Sequence, residues 1–102
     1  MRQIIEGVLF DTEKAAEISK DWEGYANDFH HWCETLYLTP RGRWFLACKG
    51  GAMSRHALKS ADGWTGSSYI KPIAPSEALA WLEKAGDLDA ALTHFGTQIE
   101  EA

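Results

Sequence analysis

The chain is poor in cysteine, with two, Cys33 and Cys48, among 102 residues, and it contains no Cys-x-x-Cys pair. A disulfide framework and the strong zinc-binding patterns are therefore both excluded. No apolar run approaches the length of a bilayer crossing. Residues 1–10 lack the long apolar core and small-residue cleavage site of a secretory signal. These absences indicate a cytoplasmic protein with reduced thiols and no membrane partner. Internal repeats, low-complexity runs and composition breaks are also missing, so residues 1–102 are expected to form a single small domain. A basic surplus is missing too: the formal net charge is -5, which disfavours non-specific attraction to DNA or anionic membranes.

The charge is unevenly distributed. Residues 1–34 carry three basic and eight acidic side chains, net -5. Residues 35–61 contain no acid and five cations, Arg41, Arg43, Lys49, Arg55 and Lys59. Residues 62–102 return to net -5, with two basic and seven acidic side chains. Two accounts fit this pattern: intramolecular complementarity, or a basic tip that meets an acidic or phosphate-bearing partner. The apolar fraction of 45% is that of a folded domain, and five tryptophans are many for this size, suited to a small core or to a binding surface.

Residues 2–12 read as two short strands around Glu6-Gly7, or as one strand with a bulge at Gly7. Residues 13–23 are ambiguous. A helix would place Ala15, Ile18 and Trp22 on one face, and a strand would place Ala16, Ile18, Lys20 and Trp22 together; periodicity slightly favours the helix. The firmest strands are His30–Thr39 and Arg43–Lys49. Between them, Pro40 suits the second position of a type I turn and Gly42 a left-handed bulge position. Thr39 then opposes Arg43, Leu38 Trp44, Leu36 Leu46 and Glu34 Cys48, with Tyr37 against Phe45 on the other face. One face, Trp32, Leu36, Leu38, Trp44, Leu46 and Cys48, reads as core, with Glu34 its odd member. The other, His31, Cys33, Thr35, Tyr37, Arg43, Phe45 and Lys49, reads as half exposed. This register turns the two cysteines to opposite faces and forbids a bond between them.

Farther on, residues 53–58 are a candidate strand, residues 61–68 a loop, and residues 69–73 an extended edge marked by Pro72. Ser76 is expected to cap a helix that turns Ala78, Leu79, Leu82 and Ala85 inward and stops at Gly86. Asp87 is expected to cap a second helix with Leu88, Ala91, Leu92 and Phe95 apolar, stopping at Gly96, ahead of a frayed acidic end. Strands first and helices last define an α+β fold, a twisted antiparallel sheet in the N-terminal two thirds packed against two C-terminal helices.

Chemistry-bearing patterns are sparse. Asp28, His30, His31, Cys33 and Cys48 are ligand types, but their spacing fits no zinc motif and Cys48 faces away; no metal or cofactor is expected. Cys33 or Ser54 with His30, His31 or His56 could be paired on paper without any Gly-x-Ser-x-Gly elbow to support it, so no enzyme activity is expected. The segment Gly50–Arg55 lacks a P-loop ending. Trp32, Tyr37, Phe45, Arg41 and Arg43 offer stacking and charge for single-stranded nucleic acid, the alternative reading, although the RNP1 pattern is absent. Aromatic and arginine residues also carry interface energy, which makes Tyr37, Arg41, Arg43, Phe45, Arg55 and His56 candidate partner-binding residues. An opposite polarity is open as well: Glu83, Asp87 and Asp89, among other acids, could occupy a partner's basic groove by mimicking phosphate charge.

The segments IIEGVLFDTEKAA, FHHWCETLYLTPRGRWFLACKGGAMSRHA, IKPIAPSEALAWLEKAG and ALTHFG, in this order, resemble a widespread group of short bacterial, plasmid and phage proteins. The departures are Glu6 where that group has Asn, Phe10 where it has Tyr, and Ala52 where it has Pro. The resemblance implies a mobile-element accessory protein and tilts residues 15–23 toward a strand. Small acidic proteins of such origin are often inhibitors of bacterial defence systems, anti-CRISPR proteins among them. The expected function is thus non-enzymatic binding to a protein complex, with CRISPR-Cas-like defence machinery as the partner.

Overall fold

The turn at Thr39–Arg43 sets the register on which the sheet is built. In the computed structural model, which describes residues 1–24, 31–50, 58–60, 63–65 and 67–102, strands β4 (Trp32–Leu38) and β5 (Trp44–Gly50) pair with Leu38 opposite Trp44, Leu36 opposite Leu46 and Glu34 opposite Cys48. This is the register read from the turn residues. Gly42 has φ 82°, the left-handed value that the bulge position requires.

Two further strands complete an antiparallel sheet of order β3-β4-β5-β8: β3 (Ala16–Glu23) beside β4, and β8 (Ser67–Ile73) beside β5. Residues 16–23 are therefore strand, against their helical periodicity. A bulge explains the misleading pattern. Glu17 opposes Tyr37 but Ser19 opposes Leu36, so Ile18 is an extra residue that shifts the side-chain phase. Ser19, Asp21 and Glu23 consequently share the face of Leu36, Glu34 and Trp32. Lys20 and Trp22 turn to the opposite face, where Trp22 is 60% exposed.

Strands β1 (Arg2–Ile5) and β2 (Val8–Asp11) form a separate hairpin. Both turn residues have positive φ, Glu6 at 50° and Gly7 at 78°, as a type I′ turn demands. Glu6 adopts that conformation at a steric cost that asparagine would lessen. Residues 61–68 are not simply a loop. Strand β7 (Gly63–Thr65) pairs with β6 (Leu58–Ser60), and β8 already begins at Ser67. The rest of the candidate strand at 53–58, residues 53–57, lies outside the described residues. Pro72 sits on β8, an edge strand paired only with β5 on its sheet, as its missing N–H requires.

Helices α1 (Pro75–Ala85) and α2 (Leu88–Phe95) cover one sheet face. The first helix begins two residues earlier than a cap at Ser76 implies, with Ala74 in the cap position. Pro75 is pre-organised for the opening helical residue, and the Glu77 carboxylate accepts the Ala74 N–H at 3.0 Å. Gly86, with φ 77°, ends this helix, donating its N–H to the Leu82 carbonyl at 3.0 Å. The Asp87 carboxylate caps α2 by accepting the Ala90 N–H at 3.0 Å. Beyond Phe95 the chain does not stop at Gly96 but tightens into a 3-10 turn over Gly96–Gln98.

The core lies in two layers. Between helices and sheet, Leu36, Trp44, Leu46 and Cys48 meet Ala78, Leu82, Ala91 and Phe95. The Trp44 ring stacks on Phe95 with centroids 5.2 Å apart. Glu34, the odd acid of this face, is buried and accepts the Trp81 indole N–H at 2.8 Å. Leu88 and Leu92 do not join this layer and are 67% and 48% exposed.

The second layer covers the middle of the face read as half exposed, whereas His31, Cys33 and Tyr37 on it are half-buried and Arg43 and Lys49 exposed. Phe45 is 0% exposed, and Thr35 and Ala47 are also buried. The β1–β2 hairpin packs over this face, with Phe10 meeting Phe45 edge-on at 5.4 Å and Ile70 completing the cluster. Gln3 ties the hairpin to the sheet by accepting the Ile70 N–H at 3.0 Å. A central strand covered on both sides reads as a continuous apolar run, which is how Trp44–Cys48 reads.

Candidate functional site

The tip of the β4–β5 hairpin is held from within. Thr39 donates its N–H to the Arg43 carbonyl at 2.8 Å, and Gly42 donates to the Thr39 carbonyl at 2.9 Å. The Thr39 hydroxyl accepts the Arg43 N–H at 3.0 Å. These bonds fix the backbone of the turn from which Arg41 and Arg43 reach into solvent, so the turn itself need not be ordered on binding.

A cleft of about 440 Å³ opens between this tip and the N-terminal hairpin. Val8, Phe10, Ala15 and Pro40 supply its apolar walls, and Lys14, Arg41 and Arg43 supply three cations against one carboxylate, Asp11. That carboxylate is occupied: Asp11 is buried and its Oδ1 accepts the Glu13 N–H at 2.9 Å. The same turn closes with Lys14 N–H donating to the Asp11 carbonyl at 3.2 Å, which sets Lys14 at the cleft. Among the described residues none of the three cationic side chains has a hydrogen-bond or ion-pair partner.

Of the candidate partner-binding residues, Arg41 and Arg43 come together at this cleft. Tyr37 does not line this cleft; it is half-buried beside Cys33 in a second one, its ring stacked on Phe45 at 5.1 Å and 11°. Burial, with Glu17 and Cys33 adding to it, pushes the Tyr37 phenol up, so it stays a neutral donor. Phe45 is a correction: Phe10 and Tyr37 cover it, and it can touch neither a partner nor a base. Arg55 and His56 lie outside the described residues. Lys14 was not a candidate, because it is counted in an acidic segment and reaches the cleft only through the docking of the first hairpin. The DTEK turn signal at residues 11–14 was the one local clue to it.

The acidic candidates separate. Glu83 and Asp89 are exposed, whereas Asp87 is half-buried and serves the fold. Its Oδ2 accepts the Ser19 hydroxyl at 2.6 Å, and its Oδ1 the Ala90 N–H. The Ser19 bond, then the Ala90 bond, holds this carboxyl below its ordinary value of 3.8. A group whose pKa is lowered on folding stabilises the fold above its unfolded value, and that stabilisation is lost as pH falls through the folded value. Acidification below about pH 4 is thus expected to weaken the wild type more than Asp87→Asn, as urea titrations at neutral and acid pH would show.

Among the described residues the ligand types do not gather. No group of three or more His, Cys, Asp or Glu side chains is placed to hold a metal among the described residues, and Asp28, His30, Ser54 and His56 lie outside them. His31 is bound to backbone, its Nδ1–H donating to the carbonyls of Glu23 at 3.1 Å and Gly24 at 3.2 Å. Both cysteines are free thiols. Cys48 is fully buried, and burial, reinforced by Glu34, pushes its thiol up to about 11. Cys33 lines a separate cleft of about 220 Å³ with Lys20 and Lys49. Iodoacetamide near neutral pH is therefore expected to alkylate Cys33 in the native protein and Cys48 only after denaturation, as peptide mass mapping would resolve.

Comparison of the chain with protein-family models, with curated proteins and with solved structures finds no match. No helix among the described residues is long and apolar enough to cross a membrane. The protein is defined by its class, an α+β domain with a four-stranded antiparallel sheet and two C-terminal helices, and by the cationic cleft at one end of that sheet.

Proposed function

We propose that the protein is a non-enzymatic protein-binding module whose docking element is the β4–β5 hairpin tip. The observation that carries this reading is the pair of solvent-facing arginines, Arg41 and Arg43, without ion partners among the described residues and carried on a hydrogen-bonded turn of a chain with net charge -5. Arginine on a pre-organised turn favours binding because little conformational freedom is lost on contact. The resemblance to mobile-element proteins supports a bacterial defence complex, CRISPR-Cas-like in kind, as the partner, with inhibition inside the host cell as the outcome. Direct binding to nucleic acid gains no support from the sheet, because the Phe45 ring is enclosed.

A tagged pull-down from bacterial lysate tests this. One stoichiometric protein complex is expected with the wild type, and Arg41→Glu with Arg43→Glu should weaken its capture by about tenfold with an unchanged melting temperature. Full capture by the doubly reversed protein would overturn the role of the tip.

A further inference from the structure

We infer that the cleft between the N-terminal hairpin and the β4–β5 tip takes an extended acidic peptide segment of the partner, its carboxylates alternating with apolar side chains. This rests on the protein-binding reading and specifies what the tip contacts.

The argument is chemical complementarity. Lys14, Arg41 and Arg43 converge on one cleft, and no carboxylate pairs with any of them among the described residues. The only acid lining it among the described residues, Asp11, is already accepting a backbone N–H. Cations left unpaired beside a surface that is otherwise rich in acid form a local positive site, which concentrates carboxylates. The wall is also apolar. Leu9 lines the cleft and is 49% exposed, and its cross-strand neighbour Ile4, on the same outer face of the hairpin, is 72% exposed. This adjacent exposed pair gives an apolar side chain of a ligand a surface to pack on. A strand-like peptide alternates its side chains, so it can direct carboxylates toward the three cations and apolar groups toward Leu9 and Ile4. A nucleic-acid strand fits less well. Its phosphates would run beyond three cations onto a protein of net charge -5.

The test uses the full chain and fluorescence anisotropy. The probes are a short fluorescein-labelled peptide of alternating glutamate and leucine, its glutamine counterpart, and a labelled single-stranded oligonucleotide. The glutamate peptide is expected to bind about tenfold more tightly than the glutamine peptide, and to weaken as salt is raised. Lys14→Glu and Leu9→Ser, both at exposed positions, should each reduce its affinity by roughly fivefold or more. Equal binding of the two peptides, wild-type affinity in Lys14→Glu, no binding of the glutamate peptide, or tighter binding of the oligonucleotide would each overturn the inference. The same variants in the lysate pull-down separate the two levels. Loss of capture on reversing Arg41 and Arg43 but not on Lys14→Glu or Leu9→Ser sinks the cleft and leaves the tip standing. Retained capture in all of them sinks both.

Discussion

Phe45→Ala is expected to lower the unfolding free energy by about 3–5 kcal/mol, the range for truncating a buried aromatic side chain. Phe45 is fully enclosed, with Phe10 against its edge and Tyr37 against its face. Its loss leaves a void under the N-terminal hairpin, which has few other anchors: Ile70, the Gln3 bond, and the partly buried Ile5, Val8 and Ala15. Domains of this size are stable by about 5–15 kcal/mol, so the variant sits near the limit of folding. Urea titration followed by tryptophan fluorescence measures the change. A surface Phe45 would instead give a change within about 0.5 kcal/mol, so the experiment decides between a covered and an open sheet face.

Leu82→Ala should cost about 2–5 kcal/mol, whereas Leu88→Ala and Leu92→Ala should each change stability by roughly 0.5 kcal/mol or less. All three leucines occupy the apolar stripes of the C-terminal helices. Only Leu82 is fully buried, in the cluster with Leu36, Trp44 and Phe95. Its backbone carbonyl also accepts the N–H groups of Gly86 and Asp87, so the side chain and the helix stop are anchored at one residue. The comparison is made by thermal melts of the three single variants. A loss at Leu88 equal to that at Leu82 would mean that α2 packs by a face other than Ala91 and Phe95.

What could be read from the residues alone divides by range. The β4–β5 register was legible because Pro40 and Gly42 determine a turn locally, and the turn determines each pair above it. The Asp87 cap and Gly86 stop were legible for the same reason. Contacts made across long stretches of chain were not. Nothing in residues 43–49 announces that Phe10 will cover Phe45, and nothing near Lys14 announces Arg41. The bulge at Ile18 was illegible in another way. One inserted residue gives a strand mixed periodicities, and the helical one is the easier to see. Half of the candidate site, Arg41 and Arg43, followed from composition and turn chemistry. The other half, Lys14 and the apolar wall, follows only from how two hairpins dock.

The bond from the Ile70 N–H to the Gln3 side chain does more than fasten a hairpin. An outer strand with free donors invites another chain to extend the sheet, and stacking of that kind leads to fibres. On β8, Gln3 occupies the Ile70 donor and Pro72 has none to offer. On β3, at the far side, Ile18 breaks the ladder and the Asp21 carboxylate accepts the Trp22 N–H at 3.0 Å. Growth by strand addition is thus hindered at both outer strands of the four-stranded sheet, through a covered or missing donor on β8 and an interrupted ladder on β3.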